Sequence, residues 1–415
     1  MAAERVPGAG AAGRVVRRPP GRKAQILAAA AEQFHRRGYH LVSMADVAAE
    51  VGITAPALYR HFRSKPELLL RAVDTDLQAL RTAVRAGAGS PADLCAALAP
   101  AAVDHRALGT LWHRDARLLA PAQRAALRRE LRTDVRAMAR TLARSRPELS
   151  AEQAEFLCWS LLSGYGSLSY HTFAPPRRWF ETLLRRIGGE LLAVAPRAED
   201  RTGPPAAPAG QPAAPAAGES RREELLLAAV RLFHERGFDN VSTDRIGAAV
   251  GIAGPSVYKH FATKAELLAA ALVRSRERLW HEVEGAIADS TGPAGALDAG
   301  LRSYLDFARR HSHYLGAMLS ETERLDPADR RAAVDFRRDF LRVWVGLLQQ
   351  VRPDYDTAEA RIRVHAMFAV VNDGVRHRPG GSGTAAAGLL EPAARAVLGL
   401  PAASPSGTGK ELVDG

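Results

Sequence analysis

The stretch VAAEVGITAPALYRHFRSKPELL at residues 47–69 returns as IGAAVGIAGPSVYKHFATKAELL at residues 246–268, 199 residues later and without a gap. Around it, residues 22–71 and 221–270 are identical at 22 of 50 positions. A period of this length is far longer than the roughly 20–50 residues of a solenoid repeat. The sequence therefore predicts that a whole domain has been duplicated and fused within one chain.

The similarity continues beyond the repeated stretch at an offset of 206 residues. LAPAQR at 119–124 matches LDPADR at 325–330, Arg146-Pro147 matches Arg352-Pro353, and His171 matches His377. The change of offset implies a net insertion of about seven residues. We therefore expect that the first domain and the helices after it were duplicated as one unit, in which only the first domain stayed similar.

The composition favours an all-helical protein of several domains with a polyanionic partner. The chain has 415 residues, 6% aromatic residues and a net charge of +12, which favours nucleic acid ahead of a membrane as the partner. Cys95 and Cys158 have the spacing of neither a disulfide framework nor a metal site. No apolar run reaches the ~18 residues of a membrane span, and the N-terminus lacks a signal-peptide core. We expect a cytoplasmic protein without a cofactor.

The repeated domain has the pattern of several short helices. Apolar residues at helical spacing before Gly38 predict a first helix that ends there; they are Ile26, Leu27, Ala30 and Phe34. Ser43 followed by Asp46 predicts a capping box for a second helix. Gly52 begins a tight turn before a third helix, and Ser64 predicts the start of a fourth. This order is that of a helix-turn-helix, and we call each copy a reader.

The two readers have the residues of a DNA-binding surface. Small residues at Ala48, Ala49 and Gly52 allow close helix crossing, which leaves the third helix free for a major groove about 12 Å wide. The residues expected to face the groove are Thr54, Ala55, Pro56, Ala57 and Arg60, and in the second copy Ala253, Gly254, Pro255, Ser256 and Lys259. Residues suited to phosphate contacts are Tyr59, His61 and Lys65, with Tyr258, His260 and Lys264, beside the helix caps Ser43 and Ser242.

These motifs resemble the N-terminal domain of the TetR family of bacterial transcriptional regulators. The shared pattern is a helix, G-Y/F, V-S, a helix, V-G-I, a recognition helix ending in L/V-Y-R/K-H-F, and K-x-E-L-L, over about 50 residues in each half. The resemblance implies an all-α fold in which each reader is followed by a helical ligand-binding and dimerisation domain. It also implies a double-stranded DNA operator and a small-molecule effector as partners.

The expected organisation is two TetR-like units in tandem. A basic arm at 1–20 precedes the first reader at 21–70 and its ligand domain at 71–194. A Pro/Ala-rich linker at 195–218 leads to the second reader at 219–269 and its ligand domain at 270–400, and a tail follows at 401–415. Low hydrophobicity predicts that the arm and tail are disordered. Basic residues of the arm are suited either to DNA contacts or to a solubilising role.

The family pairs two chains that carry one reader each, whereas this chain carries two. The linker of about 24 residues reaches roughly 70 Å in extended form, which exceeds the 34–36 Å typical between the readers of a dimer. We expect a monomeric pseudo-dimer that reads two non-identical half-sites. The alternative is a ligand-sensing interaction protein in which only the first reader binds DNA and which works as a homodimer of chains.

The resemblance implies that the last two helices of each unit form a four-helix bundle between the units. By position these are residues 151–171 and 176–193, and residues 357–377 and 384–398. The first pair has apolar faces, but PGGSGTAAAG at 379–388 interrupts the second pair. This interruption argues against a symmetric bundle.

The ligand domains contain candidates for a mainly apolar pocket. They are Trp112, His113, Arg117, Trp159, Tyr165 and Tyr170 in the first unit, and Tyr314, Met318 and Met367 in the second. Aromatic and methionine residues at such spacing also build ordinary cores, so both interpretations stay open. The resemblance implies a hydrophobic or acyl-type effector. Because binding of this effector would release the protein from its operator, we expect the protein to be a repressor.

Catalytic motifs are missing from the sequence. His311 and His313 point to different faces of a helix, which is poor geometry for a metal. We find no nucleophile elbow, phosphate-binding glycine loop or dinucleotide fingerprint. We therefore expect neither an enzyme nor a metal site.

Overall fold

The computed structural model describes residues 21–173, 175–196, 221–376 and 388–402, and this part of the chain is helical and contains no strand. The prediction of an all-α fold is confirmed. The basic arm, most of the linker, residues 377–387 and most of the tail lie outside the described residues. The predictions that concern them therefore stay predictions.

The first half contains nine α-helices, together with short 3-10 and π segments, in its described residues. They are α1 (Arg22–Arg37), α2 (Met44–Glu50), α3 (Ala55–His61), α4 (Lys65–Ala86), α5 (Pro91–Asp104), α6 (Leu108–Thr110), α7 (Pro121–Ser145), α8 (Ala151–Gly166) and α9 (Arg177–Leu192). Helices α1 to α3 and the start of α4 form the first reader. The rest of α4 and helices α5 to α9, of which α6 is a single short turn, pack below it.

The second half repeats this order. Its helices in the described residues are α10 (Arg221–Arg236), α11 (Thr243–Ala249), α12 (Gly254–Val257), α13 (Lys264–Ala288), α14 (Gly292–Arg310), α15 (Ser312–Ser320), α16 (Pro327–Val351), α17 (Thr357–Gly374) and α18 (Leu390–Leu398). Helices α10 to α12 with the start of α13 form the second reader. Helix by helix, this half follows the plan of the first.

Side-chain caps set the helix starts where the sequence places them. Ser43 accepts a hydrogen bond from the backbone N–H of Asp46, whose carboxylate accepts from the backbone N–H of Ser43 in return, so the predicted capping box is present. Ser64 caps α4 in the same manner by accepting from Glu67. Gly38 has a φ of +88° after α1, and Gly237 has +78° after α10. Only glycine adopts such angles freely, so both first helices end there.

The two halves pack against each other through helices from both. Helix α8 lies along α17, and α9 contacts α18, so four helices form one bundle with an apolar interior. At Gly164 an added Cβ would lie 3.7 Å from Val370 Cγ2, an ordinary van der Waals distance, so the halves are in contact there. These are the helices that the sequence analysis assigns to the bundle. Helix α18 has nine residues against 16 in α9, so the bundle is asymmetric.

An ion pair between a buried arginine and a half-buried glutamate crosses this bundle. The Arg363 side chain is completely buried, and its Nη1 donates to Glu190 Oε2 of the other half at 2.7 Å. Its Nε donates to Glu359 Oε1 at 2.8 Å, and its Nη1 also bonds the backbone oxygen of Val397 at 2.8 Å. Such a charge is stable only while its hydrogen bonds are complete.

We expect Glu190→Gln to lower the free energy of unfolding by about 1.5–3 kcal/mol, because it weakens charge-assisted bonds to a buried guanidinium. Glu130→Gln is the matched control, since Glu130 pairs with Arg81 at the surface and such pairs contribute at most about 1 kcal/mol. Chemical denaturation followed by circular dichroism measures both. Equal losses in the two variants would contradict a special role for Arg363.

Candidate nucleic-acid interface and ligand pockets

The first reader exposes most of the residues predicted to contact DNA. Helix α3 is anchored by Leu58 and by Phe62 at its end, which are both buried. Thr54 Oγ1 accepts from the Ala57 N–H at 3.4 Å and caps the helix. The exposed members of the predicted set are Ser43, Thr54, Pro56, Tyr59, Arg60 and His61, whereas Ala55, Ala57 and Lys65 are half-buried. Tyr59 is 51% exposed, which is high for so large a ring and leaves it available for a phosphate contact.

The second reader repeats this surface with fewer exposed members. Its exposed residues are Ser242, Ala253, Pro255, Tyr258 and Lys259, with Ser256, His260 and Lys264 half-buried and Gly254 buried. Tyr258 is 53% exposed, close to the value of Tyr59. Its hydroxyl lies 3.2 Å from Thr243 Oγ1. In the first reader the equivalent of Thr243 is Met44, which has no hydroxyl for such a contact.

The recognition helix of the second reader is shorter. Helix α12 has four residues, and the chain continues through Tyr258–His260 in turns, with the His260 N–H bonded to Val257 O. Ala253 stands where Thr54 stands in the first reader, so no side chain caps α12. Helix α3, which has that cap, has seven residues. Both helices begin at the equivalent position, so α12 is shorter at its C-terminal end, and the missing cap leaves the N–H groups of its first turn without a side-chain partner.

The second reader also brings its two short helices closer together. A Cβ added at Gly254 would overlap the carboxylate of Asp244 and lie 2.8 Å from Asp244 Cα. In the first reader the equivalent residues are Ala45 and Ala55. The glycine therefore permits a close approach that alanine would not, and the readers differ in backbone shape as well as in side chains.

The two lysines predicted to contact phosphate have other partners in the free protein. Lys264 Nζ donates to the backbone oxygens of Phe238 and Val241 at 2.9 and 3.0 Å. Lys65 Nζ lies 4.2 Å from the ring centre of Tyr39, and Lys264 Nζ lies 4.2 Å from that of Phe238. Burial lowers the pKa of both. These ammonium groups contact the turn after the first helix of each reader. Because two of the three N–H donors of Lys264 are used there, one remains available for DNA.

A first pocket of about 90 Å³ lies within the first ligand domain. Four of the predicted ligand residues line it, which are Trp112, His113, Trp159 and Tyr165. Its polar group is a pair formed by Asp76 Oδ1 and His105 Nδ1, 2.7 Å apart. Burial raises the pKa of Asp76, while the hydrogen bond to Asp76 raises the pKa of His105. Asp373 of the second half also lines this pocket and lies 3.3 Å from His113 Nε2.

A second pocket of about 120 Å³ lies in the second ligand domain and has a different charge. Of the predicted residues, Met318 lines it, and so does Tyr170, which comes from the first half. Phe340 and Phe368 stack in its wall at 5.6 Å. Arg276 is buried there, and its Nη1 has no hydrogen-bond partner among the described residues.

The remaining ligand candidates lie elsewhere. Tyr314 and Met367 are buried in the core and line neither pocket. Arg117 binds Glu321 of the second half. The sequence analysis missed Asp76, His105 and Arg276. For two of them the sequence contained a signal, which is a charged residue at an apolar position. Asp76 lies in the apolar stripe of α4, and Arg276 of α13 is equivalent to Leu77 of α4.

The described residues contain no cluster of three His, Cys, Asp or Glu side chains that could hold a metal ion. Cys95 and Cys158 are buried and form no disulfide. Within the same ranges, no helix has the length and apolar character needed to cross a membrane.

Comparison with known proteins connects both readers to one family. Residues 26–72 and 225–271 match the family described as "Bacterial regulatory proteins, tetR family". The HTH-type transcriptional activator FasR of Mycolicibacterium smegmatis is 41% identical over 94 residues, which are 23% of this chain and 43% of FasR. The HTH-type transcriptional repressor KstR2 of Mycobacterium tuberculosis is 28% identical over 178 residues, which are 40% of this chain and 86% of KstR2.

Solved structures were compared as well. The ketosteroid transcriptional regulator KstR2 of Mycobacterium tuberculosis covers 44% of this chain and 95% of its own, at 27% identity and a TM-score of 0.38. For several curated relatives the match is partial: it spans 43% of FasR and 47% of the nucleoid occlusion factor SlmA of Pasteurella multocida. With one family match in each half, at the positions of the repeat, the chain carries two domains of the TetR family of bacterial transcriptional regulators in tandem.

Proposed function

We propose that this regulator binds its operator as an intramolecular pseudo-dimer, in which both readers of one chain contact two non-identical half-sites. A small hydrophobic or acyl-type effector in the ligand domains releases it, so that it acts as a repressor. The cytoplasmic location of such a protein is part of this proposal. The observation that carries it is the charge complementarity between the two halves.

The contacts below the readers join unlike charges from opposite halves. Arg117 binds Glu321, whose side chain is fully buried, and Arg114 binds Glu323. At the offset of 206 residues, Arg117 is equivalent to Glu323, and Asp115 is equivalent to Glu321. Two second halves paired in this way would bring Glu321 against Glu323 twice. Two first halves would bring Arg114 against Arg117 twice, and Arg117 would face Asp115, which is already bound to Arg114.

The four-helix bundle also favours the pairing of two unlike halves. At this offset the equivalents of Arg363 and Glu190 are Leu157 and Ala396. Two second halves would bury Arg363 against alanine, which leaves a buried charge without one of its partners. Each half therefore fits the other half better than it fits a copy of itself. This preference supports pairing within one chain.

The two readers are also joined directly. Arg324 Nη2 lies 2.7 Å from His40 Nε2 of the first reader and forms an ion pair with Asp239 of the second. His40 and Asp239 are equivalent at the offset of 199 residues. The turns after α1 and α10 thus meet at the pseudo-twofold axis. This contact supports a defined spacing of the readers, as an operator of two half-sites requires.

Effector control follows from the same arrangement. Each pocket has a wall residue from the opposite half, Asp373 in the first pocket and Tyr170 in the second. A ligand that favours one packing of the halves therefore changes the spacing of the readers, which needs only a difference in its affinity for the two states. The Arg276 guanidinium suits an effector with an acidic head group, whereas Asp76 in the first pocket does not.

One observation favours the alternative function, in which only the first reader binds DNA. Helix α12 is short and uncapped, and Gly254 has no side chain for a base contact. The protein would then work as a dimer of chains with one active reader each. Tyr258 and Lys259 remain exposed on the second reader, which supports two working readers.

We expect Tyr258→Ala with Lys259→Ala, and separately Tyr59→Ala with Arg60→Ala, each to weaken operator binding by about ten-fold and to reduce the salt slope by about 1. The reason is that both pairs are exposed for phosphate or base contacts. The operator is obtained by footprinting the region upstream of the protein's own gene. Arg331→Ala is the control, because Arg331 is an exposed residue of α16. Unchanged affinity and slope in the second-reader variant would favour the alternative.

We expect Arg117→Glu to lower the free energy of unfolding by about 3–5 kcal/mol, because it places a second carboxylate beside the buried Glu321. Adding Glu321→Arg restores the opposite charges and is expected to recover at least half of the loss. Arg331→Glu is the exposed control. Thermal unfolding and light scattering are measured together. A mass of two chains in which both readers are needed would contradict pairing within one chain.

We expect Gly254→Ala to destabilise the second reader by about 1–3 kcal/mol through overpacking against Asp244, and to weaken operator binding. Asp244→Ala in the same protein removes the overlap with the carboxylate but leaves the 2.8 Å approach to Asp244 Cα, so it is expected to restore binding only in part. Thermal unfolding and operator titration are the measurements. A Gly254→Ala variant as stable as the unchanged protein would show that the close approach is not what Gly254 permits.

A further inference from the structure

A large cavity lies between the two halves, and we call it the central cavity. It has a volume of about 970 Å³ and adjoins both apolar pockets, since it shares His113 with the first and six lining residues with the second. Its walls come from the ends of α1 and α10, from residues 110–117, and from α16 and α17. The volume lies at the upper end of the roughly 300–1,000 Å³ that small-molecule sites occupy.

The lining of the central cavity is strongly basic. Nine arginines and five histidines line it, against a single carboxylate from Glu323. Glu323 is already bound to Arg114. Within the described ranges, no ion pair joins Arg330, Arg337 or Arg361 to a carboxylate. These three arginines therefore give the cavity positive charge that no carboxylate of the described residues neutralises.

Several polar atoms of this lining are buried and have no partner among the described residues. They are Nε and Nη2 of Arg376, Nε of Arg330, Nε2 of His171 and Nδ1 of His35. Leaving such donors and acceptors unbonded in the protein interior is unfavourable. Half of all such side-chain atoms in the described residues belong to this one cavity. This concentration indicates a site that is completed by something other than the described residues.

Four histidines of the cavity have lowered pKa values. Burial, followed by neighbouring arginines, lowers the pKa of His35 and His171 to about 4. Burial, followed by His171 and two arginines, lowers the pKa of His365 to about 3. The pKa of His234 is about 4 for the same reasons, with Arg376 as its main charged neighbour. These side chains are neutral near pH 7 mainly because burial disfavours their charged form, and also because neighbouring positive charges repel it.

We propose that the central cavity binds one compact polyanion that carries several phosphate groups. Guanidinium groups donate two parallel hydrogen bonds to phosphate oxygens, and three of them here lack a carboxylate. The ligand would also supply acceptors for the free donors of Arg330 and Arg376. This is a third site, beyond the effector pockets of the proposed function.

The position of the central cavity connects such a ligand to both readers. His35 at the end of α1 and His234 at the end of α10 are equivalent residues at the offset of 199, and both line the cavity. A polyanion bound there lies between the two readers and α17 of the bundle. The site is therefore placed to influence the spacing of the readers.

Inorganic tripolyphosphate is the probe, titrated calorimetrically into the full chain without DNA at constant ionic strength. We expect one site per chain and a rise in the unfolding temperature beyond that caused by sulfate at the same ionic strength. Arg361→Gln with Arg376→Gln is expected to weaken binding by at least about ten-fold. Arg331→Gln, on α16 but outside the cavity, is the matched control and is expected to bind as the unchanged protein does.

A second variant pair tests the other basic surface. Arg60→Gln with Lys259→Gln removes charge from the DNA-facing side of the readers and is expected to leave tripolyphosphate binding unchanged. Loss of binding in this variant, with retention in the cavity variant, would overturn the proposal. So would the absence of saturable binding. Because no DNA is present, these outcomes are independent of whether the readers pair on an operator.

Discussion

The arrangement of this protein depends on the ion pairs that join unlike charges across its two halves. Arg363 is buried completely in the four-helix bundle and depends on Glu190 of the other half for two of its hydrogen bonds. Below the readers, Arg117 and Glu321 make a similar buried contact. A buried charge is costly unless its partners are in place. The bundle, the pockets and the reader spacing therefore share one requirement, which is that each half packs against a half unlike itself.

Duplication followed by fusion explains how this requirement arose without loss of pairing. A homodimer must keep both copies of its interface identical, so a change that suits one side appears on both. In a fused pair each side changes alone. The result here is Arg363 facing Glu190 where the equivalent positions hold Leu157 and Ala396. The same freedom places Asp76 in one pocket and Arg276 in the other.

Local features were predictable from the sequence because they depend on neighbours along the chain. The capping box of Ser43 and Asp46, the cap at Ser64 and the glycine ends of α1 and α10 all lie where the pattern places them. The surroundings of Lys65 and Lys264 were not predictable in this way. Their ammonium groups contact the turn after the first helix, which is distant in sequence and becomes a neighbour only when the reader folds.

The sequence by itself determined the duplication, the all-helical fold and the family, and it predicted the residues of a recognition surface, because each is a matter of residue type at short spacing. The tertiary structure decided which residues meet across the halves. It places Tyr170 in the pocket of the second unit, joins Arg117 to Glu321 and gathers unpaired arginines around one cavity. The physical reason is that burial and charge pairing between segments some 200 residues apart depend on packing, which no local pattern records.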